Sequence, residues 1–231
     1  MLIPPTTLTT VWNVRPRGVL HIGAHDGEED LQYRRAGWGD VVWVEAMPDK
    51  ARALEARFKN DPTRQVVTAL AWDSSGEEMV FHLANNGMSS SVFEFGTHAD
   101  HHPEISFEAD IRLRSVRLDA VRGLPLAWDL INLDVQGAEL HALRGLGTLI
   151  LNARWIYTEV NQENVYAGCP LMADLDAWLN PRGFRRIDTV MTQFGWGDAL
   201  YARAEVIPAA RHIRRAARRF LTVKSQLTDS R

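Results

Sequence analysis

One stretch near the start of the chain most constrains its fold. Residues 18–49 read GVLHIGAHDGEEDLQYRRAGWGDVVWVEAMPD. A short apolar run ends in a glycine-containing turn, a helix-like segment follows, and a second apolar run ends on Glu45. Strand, glycine turn, helix, strand and terminal acid make up the first βαβ unit of a fold that binds a nucleoside-containing cofactor.

The turn after the first strand favours one kind of cofactor. Gly23 and Gly27 let backbone amides approach a ligand without a Cβ in the way, and Glu45 stands where its carboxylate accepts hydrogen bonds from ribose hydroxyls. The G-x-x-x-G spacing differs from the G-x-G-x-x-G of dinucleotide-binding folds. The same turn carries carboxylates that disfavour a pyrophosphate, namely Asp26, Glu28 and Glu29. These residues predict a cofactor with a cationic group and no phosphate, of which S-adenosylmethionine (SAM) is the obvious example.

Length and composition suit one enzyme-sized domain. With 231 residues, 45% of them hydrophobic and 24% charged, the chain is ordinary for a soluble protein, and we assign residues 1–207 to a single domain. The N-terminal segment lacks the pattern of a secretory signal, and no apolar run approaches the roughly 20 residues of a membrane span. The one cysteine, Cys169, excludes an internal disulfide and fits a reducing compartment. We therefore expect a cytoplasmic location.

The C-terminal segment 208–231 differs in charge from the rest. From Ala209 onward seven Lys/Arg residues stand against one acid, so this part carries +6, and the remainder of a chain whose total is −3 carries −9. Apolar residues recur there at helical spacing with arginines between them, which predicts a basic amphipathic helix. Such a helix either packs on the domain or makes a peripheral contact with anionic lipid. Nucleic acid is not expected as a partner, because the acidic body would repel phosphate.

Apolar runs alternate with helix-like segments, which predicts an α/β fold with a mostly parallel sheet. Strands are expected at 18–23, 41–46, 65–70, 129–134 and 155–160, with 78–83 as an additional candidate. Helices are expected at 28–36, 48–59, 137–145 and 170–180. The segments Phe184–Val190 and Asp198–Ala202 read as a closing strand pair. Between these elements, the long stretch 84–110 has no clear period and is predicted to be an ordered lid or substrate-binding loop.

The ends of the predicted strands carry the candidate chemistry, because ligands of open α/β sheets bind at the carboxyl edge where the strand order reverses. The residues delivered to that edge are Gly23–Gly27, Glu45, Leu70–Trp72, Asp134 and Glu159, from the first to the fifth strand. Single members of this set have structural explanations, such as a tight turn or a helix cap. The whole series in this order favours a cofactor site.

Several motifs in sequence order make the chain resemble the FkbM-type SAM-dependent methyltransferases. They are HIGAHDGEE, VVWVEAMPD, NNGMSSSVF, INLDVQGAEL and YTEVNQENVY, and the resemblance covers about residues 17–203. DVQGAE at 134–139 is the most specific of them, although the family often has an acid where Gln136 stands here.

The resemblance implies a Rossmann-like class I methyltransferase fold. This fold has a mostly parallel seven-stranded sheet, helices on both faces and a C-terminal antiparallel strand pair. It also implies transfer of the SAM methyl group to a hydroxyl of a sugar, glycolipid or secondary metabolite. The cofactor site carried over from the family comprises Gly23, His25 and Gly27 toward the methionine part, Glu45 at the ribose, Ala71 and Trp72 near the adenine, and Asp134 below the sulfonium. Ala24, Glu28 and Ala46 are further candidate cofactor-binding residues, and Ser90 belongs to a polar cradle for the SAM carboxylate or the acceptor.

Methyl transfer to a hydroxyl needs a group that takes the proton, and the sequence leaves three candidates open. His98, His101 or His102 in the long loop is the first, since imidazole titrates near neutral pH. Glu159 acting as a base is the second. The third is a Mg²⁺ ion held by oxygen ligands at adjacent strand ends, for which the candidate ligands are Asp134, Glu159 and Asn161. His141 is interpreted as structural.

The acceptor is expected to be a small molecule or glycan, with Asn161, Tyr166 and Trp196 as candidate binding residues. Two other function classes stay open at this point. One is an NAD-linked oxidoreductase, which the glycine spacing and the acidic turn disfavour. The other is a protein that binds SAM without catalysis. The oligomeric state cannot be inferred from the sequence.

Overall fold

The computed structural model describes residues 1–207, so the predicted amphipathic helix in 208–231 lies outside the described residues. The helices are α1 (Pro5–Trp12), α2 (Asp30–Ala36), α3 (Pro48–Phe58), α4 (His98–His101), α5 (Glu139–Gly145) and α6 (Met172–Leu179). The strands are β1 (Gly18–Ile22), β2 (Asp40–Glu45), β3 (Arg64–Thr68), β4 (Leu70–Ala71), β5 (Glu78–Ala84), β6 (Phe107–Val116), β7 (Leu130–Leu133), β8 (Trp155–Asn161), β9 (Phe184–Met191) and β10 (Trp196–Arg203).

The main sheet has seven strands in the order β3-β2-β1-β7-β8-β10-β9. Strand β10 runs antiparallel to both of its neighbours, and the other neighbouring pairs are parallel. The order reverses between β1 and β7, which places a ligand-binding crevice at the carboxyl ends of these two strands. The predicted class I methyltransferase architecture, with its closing antiparallel pair, is confirmed.

Helices cover both faces of this sheet, as the continuous apolar runs predict. On one face α1, α2 and α3 pack through Leu8, Tyr33 and Leu54. On the opposite face α5 and α6 pack through Leu140 and Leu175. The central strands are consequently buried along their whole length, as in β1 and β7, and they form a rigid base for the residues at their ends.

Two sequence predictions need correction in the region beside the sheet. The segment 65–70 is not one strand, because β3 ends at Thr68 and the chain then enters β4 in a second sheet of order β4-β6-β5. The stretch 84–110 is not a single loop. It holds the end of β5, the short α4 and the start of β6, a strand that the sequence analysis missed.

The N-terminal helix α1 was also missed, because its segment was considered only as a candidate signal. Ile3, Leu8 and Trp12 are fully buried, and the Trp12 indole N–H donates to Asp188 Oδ2 at 2.6 Å. This anchoring brings Met1 and Leu2 to the carboxyl edge of the sheet. Within residues 1–207 the structure contains no helix with the length and apolar character that crossing a membrane requires.

Candidate active site

Two adjoining spaces open at the carboxyl edge of the sheet. The first, here the narrow pocket, has apolar walls formed by Val44, Ala69, Leu70, Ala71 and Phe81, with Glu45 beside them. The second, here the wide cavity, has a volume of about 560 Å³ and is lined by polar groups that include His98, His102, Glu159, Tyr166 and Asp198. The two spaces share one wall, composed of Gly23, His25, Met88, Asp134 and Gln136. A ligand in the narrow pocket therefore reaches the wide cavity directly.

Gly23 is the residue that allows the ends of β1 and β7 to meet. Its φ of +90° is in the left-handed region, and a Cβ built on it would lie 1.8 Å from the carbonyl oxygen of Asp134. Only glycine fits such an approach. The Gly23 N–H donates to the carbonyl of Val44 at 2.9 Å, which also ties the turn to β2. The turn thus joins three strands at the shared wall.

Glu45 is a buried carboxylate, 6% exposed, at the end of β2. Its Oε2 accepts the backbone N–H of His25 at 2.7 Å, and its Oε1 accepts that of Met47 at 2.8 Å. Burial raises the pKa of Glu45, and these two hydrogen bonds oppose that rise. Each oxygen keeps a further lone pair, so the carboxylate is held in place and still able to accept a hydrogen bond from a ligand hydroxyl.

The structure brings most of the predicted cofactor residues to the narrow pocket. Those that line it are Gly23, His25, Glu45, Ala46, Ala71, Ser90 and Asp134. Glu28 lines the wide cavity instead, where its Oε1 lies 2.5 Å from Nδ1 of His25. Ala24 and Gly27 line neither space and act in the backbone of the turn, where the Gly27 N–H donates to the Ala24 carbonyl at 2.8 Å.

Trp72, a predicted adenine-site residue, is not among the residues that line the narrow pocket. Its indole lies outside the narrow pocket and stacks on the imidazole of His141, with ring centroids 3.9 Å apart and an interplanar angle of 2°. His141 is in turn bound to Asp73 at 2.8 Å, which agrees with its structural interpretation. The neighbouring Ala71 lines the pocket, and Trp72 follows the end of β4 and packs on His141 instead.

The floor of the wide cavity contains two carboxylates joined by an amide. The Gln136 side-chain nitrogen donates to Asp134 Oδ1 at 2.5 Å and to Glu159 Oε2 at 3.4 Å. Desolvation raises the pKa of Asp134 to about 6. Burial is also the main cause that raises the pKa of Glu159 well above its usual range, and the nearby charge of Asp134 adds to the effect. Gln136, whose φ is +52°, therefore links Asp134, whose side chain keeps solvent contact, to the buried Glu159.

A hydrogen-bonded chain leads from this floor to His98. The Tyr166 hydroxyl donates to Gln136 Oε1 and also interacts with Ser89, and Ser89 Oγ lies 3.2 Å from Nε2 of His98. His98 is 7% exposed, and its Nδ1 has no hydrogen-bond partner. Burial lowers the pKa of His98. A neutral imidazole with an unpartnered nitrogen thus lines the wide cavity.

The other predicted acceptor and catalytic residues divide into two groups. Tyr166, Trp196 and His102 line the wide cavity, and His102 Nδ1 lies 3.6 Å from Glu104 Oε1. Asn161 lines neither space, although it is fully buried and both of its amide atoms lack partners. Of the three proposed Mg²⁺ ligands, Asp134 and Glu159 line the wide cavity and share the Gln136 amide as a hydrogen-bond donor, whereas Asn161 does not line it.

Sequence reasoning missed several lining residues, namely Leu2, His21, Glu29, Met88, Gln136 and Asp198. Met88 and Gln136 belong to motifs that were recognised, so their positions were available as a signal. Asp198 lies on the antiparallel β10, where the rule for carboxyl ends of parallel strands does not apply. Leu2 reaches the cavity only through the packing of α1, which its local sequence does not indicate.

The strand order and the position of the two spaces define a class I methyltransferase fold. The family described as "Methyltransferase FkbM domain" matches residues 21–186, which is most of the chain. The protein therefore belongs to the FkbM methyltransferase family, as its motifs predicted.

Among characterised relatives, the chain is 28% identical over 170 residues to 2-O-methyltransferase NoeI of Sinorhizobium fredii, covering 68% of this chain and 69% of that protein. Solved structures similar in fold include a SAM-dependent methyltransferase from Aquifex aeolicus (TM-score 0.47, 11% identity, 88% of this chain and 91% of that one). Another is the putative methyltransferase yhhF from Escherichia coli (TM-score 0.47, 14% identity, 88% and 86%).

Proposed function

We propose that this methyltransferase moves the methyl group of SAM to a hydroxyl group of a sugar, glycolipid or secondary metabolite. The observation that carries the proposal is the shared wall of Gly23, His25, Met88, Asp134 and Gln136, across which the narrow pocket opens into the wide cavity. Family membership favours methyl transfer over the hydride transfer of an NAD-linked enzyme. The relative named as a 2-O-methyltransferase supports a hydroxyl as the acceptor group.

The residues of the narrow pocket fit SAM. Its apolar walls suit a flat adenine ring, the Glu45 carboxylate suits a ribose diol, and Asp134 at the shared wall suits a neighbouring positive charge. When bound, SAM supplies a methyl group on a positively charged sulfur that is already activated for transfer. The protein then has to orient the acceptor oxygen and exclude water from the closed site.

In this proposal His98 is the general base for the acceptor hydroxyl. Its lowered pKa keeps the imidazole neutral at neutral pH, the residue lines the wide cavity, and its Nδ1 is buried without a hydrogen-bond partner. Glu159 suits hydrogen bonding to the acceptor better than proton removal, because its raised pKa favours the protonated form. The rings of Tyr166 and Trp196 offer apolar faces for a sugar ring.

The experiment that tests this function has two stages. Calorimetric titration with SAM and with S-adenosylhomocysteine (SAH) first checks that the narrow pocket binds the cofactor. Incubation with methyl-labelled SAM and a panel of glycosides and polyhydroxylated metabolites then follows label in methyl ether products. Transfer to an oxygen of one of these compounds supports the proposal. Cofactor binding without label in any hydroxyl compound would instead favour a non-catalytic SAM-binding protein.

A further inference from the structure

Carboxylates dominate the charge of the wide cavity. Those that line it come from separate elements: Glu28 and Glu29 before α2, Asp134 after β7 and Asp198 in β10, while the raised pKa of Glu159 in β8 makes that group a neutral hydrogen-bonding acid. Neither lysine nor arginine lines the cavity in the part of the chain that the structure describes. The amino group of Met1 lies 3.8 Å from Glu29 Oε1 and offsets only part of this negative charge.

Two cationic side chains beside the glycine turn already have partners there. Lys50 Nζ lies 3.1 Å from Asp26 Oδ1. The Arg57 guanidinium donates to the backbone carbonyls of Asp26 and Gly27 at 2.5 and 3.2 Å. Both cations therefore hold the glycine turn, and within residues 1–207 the lining of the wide cavity offers an anionic ligand no guanidinium or ammonium side chain.

An anionic acceptor would also meet repulsion there that the Met1 amino group offsets only in part. Asp198 is buried and accepts hydrogen bonds from the Tyr157 hydroxyl and from the Leu2 N–H, at 2.5 Å for the latter. Those donors leave its charge in the cavity wall. The Glu28 side chain is half exposed, so the negative charge of the cavity lining extends to the solvent. A buried anion without a cationic partner is strongly disfavoured, and like charges placed together select against a ligand.

Neutral polar groups, by contrast, have partners available. His98 is nine-tenths buried, lines the cavity and leaves Nδ1 without a hydrogen bond. Tyr166 and Trp196 supply ring faces, and a carboxylate accepts hydrogen bonds from hydroxyl or ammonium groups. A cavity of about 560 Å³ is in the range of ordinary small-molecule sites.

We infer that the wide cavity selects an acceptor without negative charge, namely a neutral or amino-bearing glycoside, and rejects phosphorylated, nucleotide-linked and carboxylated sugars. This inference rests on the proposed function and assigns its acceptor class. It also gives the enzyme a place in a reaction sequence. Because a nucleotide-linked sugar carries a diphosphate, the sugar is methylated after a glycosyl transfer has removed that group.

Saturation-transfer NMR on the SAH-saturated protein tests the inference with four matched probes: methyl β-glucoside, glucosamine, glucose 6-phosphate and glucuronate. The neutral and the amino sugar are expected to receive saturation at millimolar concentration, and the two anions to bind at least about tenfold more weakly. Equal or stronger binding of either anion would overturn the inference. Absence of signal from all four sugars would overturn it as well.

A charge reversal supplies the second readout. Glu29→Lys places a cation in the cavity and is expected to strengthen glucose 6-phosphate binding about tenfold, whereas Glu29→Gln should strengthen it less. Glu55→Lys on the exposed side of α3 is the matched control and should leave all four sugars unchanged. Unaltered selectivity in Glu29→Lys would contradict the assignment. SAH titration of each variant separates this outcome from failure of the cofactor site, because loss of SAH binding would instead count against the proposed function.

Discussion

The side-chain amide of Gln136 donates a hydrogen bond to Asp134 Oδ1 at 2.5 Å, and its nitrogen also lies 3.4 Å from Oε2 of Glu159. A neutral donor thus joins the acids at the ends of β7 and β8. At this position a carboxylate would place a further acid against Asp134 and the buried Glu159. Gln136 therefore determines how much negative charge the shared wall can hold.

Gln136→Glu is expected to destabilise the fold by about 1–3 kcal/mol at pH 8, because the buried Glu159 and the adjacent Asp134 lose their donor. The pKa of Asp134 is already raised to about 6 by burial. An acid whose pKa is raised on folding contributes stability at low pH that is lost as the pH rises through the folded value. Urea unfolding should therefore show a smaller loss at pH 5 than at pH 8. Gln65→Glu on the exposed part of β3 is the control, and equal losses at both pH values would contradict this account.

Glu45→Ala should weaken SAM binding by at least about tenfold, because a ribose hydroxyl loses its hydrogen-bond acceptor. The backbone N–H groups of His25 and Met47 also lose the carboxylate oxygens that accept their hydrogen bonds. Calorimetry with SAM and SAH measures the effect. The exposed Glu55→Ala variant in α3 should bind as the wild type does. Wild-type affinity in a folded Glu45→Ala protein would remove Glu45 from the cofactor site.

His98→Asn should lower the rate of methyl transfer roughly 100-fold or more, which is the usual contribution of a general base. SAM affinity should change little, because His98 does not line the narrow pocket. The pKa of His98 is lowered by burial, so wild-type activity should be lost only as the pH falls below the ordinary histidine range. Rate profiles and NMR titration of the imidazole measure the two effects. His101→Asn serves as the control, because the His101 ring lies 3.2 Å from Glu163 Oε1. A rate loss of the same size in both variants would contradict a specific role for His98.

Gly23→Ala should be far more damaging than Gly76→Ala, although both glycines have a φ of +90°. At Gly76 the new Cβ meets nothing within 4 Å, so only the left-handed backbone cost of about 1–2 kcal/mol is expected. At Gly23 the Cβ would lie 1.8 Å from the Asp134 carbonyl oxygen, so the turn must move and SAM binding should disappear. Thermal unfolding and calorimetry check this difference. Similar stability of the two variants would show that the turn tolerates a wider separation of β1 and β7.

The sequence by itself determined the central βαβ unit, the strand ends and the family. Continuous apolar runs identify buried strands, and the glycine turn and Glu45 follow them locally, so short-range patterns were sufficient. The same patterns placed the strand-end residues Asp134 and Glu159 at one edge. Each of these inferences depends on neighbours close in the chain.

Only the tertiary structure decided the composition of the wide cavity. Asp198 reaches it from an antiparallel strand, Leu2 through the packing of α1, and Met88 by folding of a segment that the sequence analysis left as one loop. The tertiary structure also places the Trp72 indole against the His141 ring and not in the lining of the narrow pocket. Such contacts join residues far apart in the chain, and their geometry depends on packing between elements, which local periodicity and residue type do not specify.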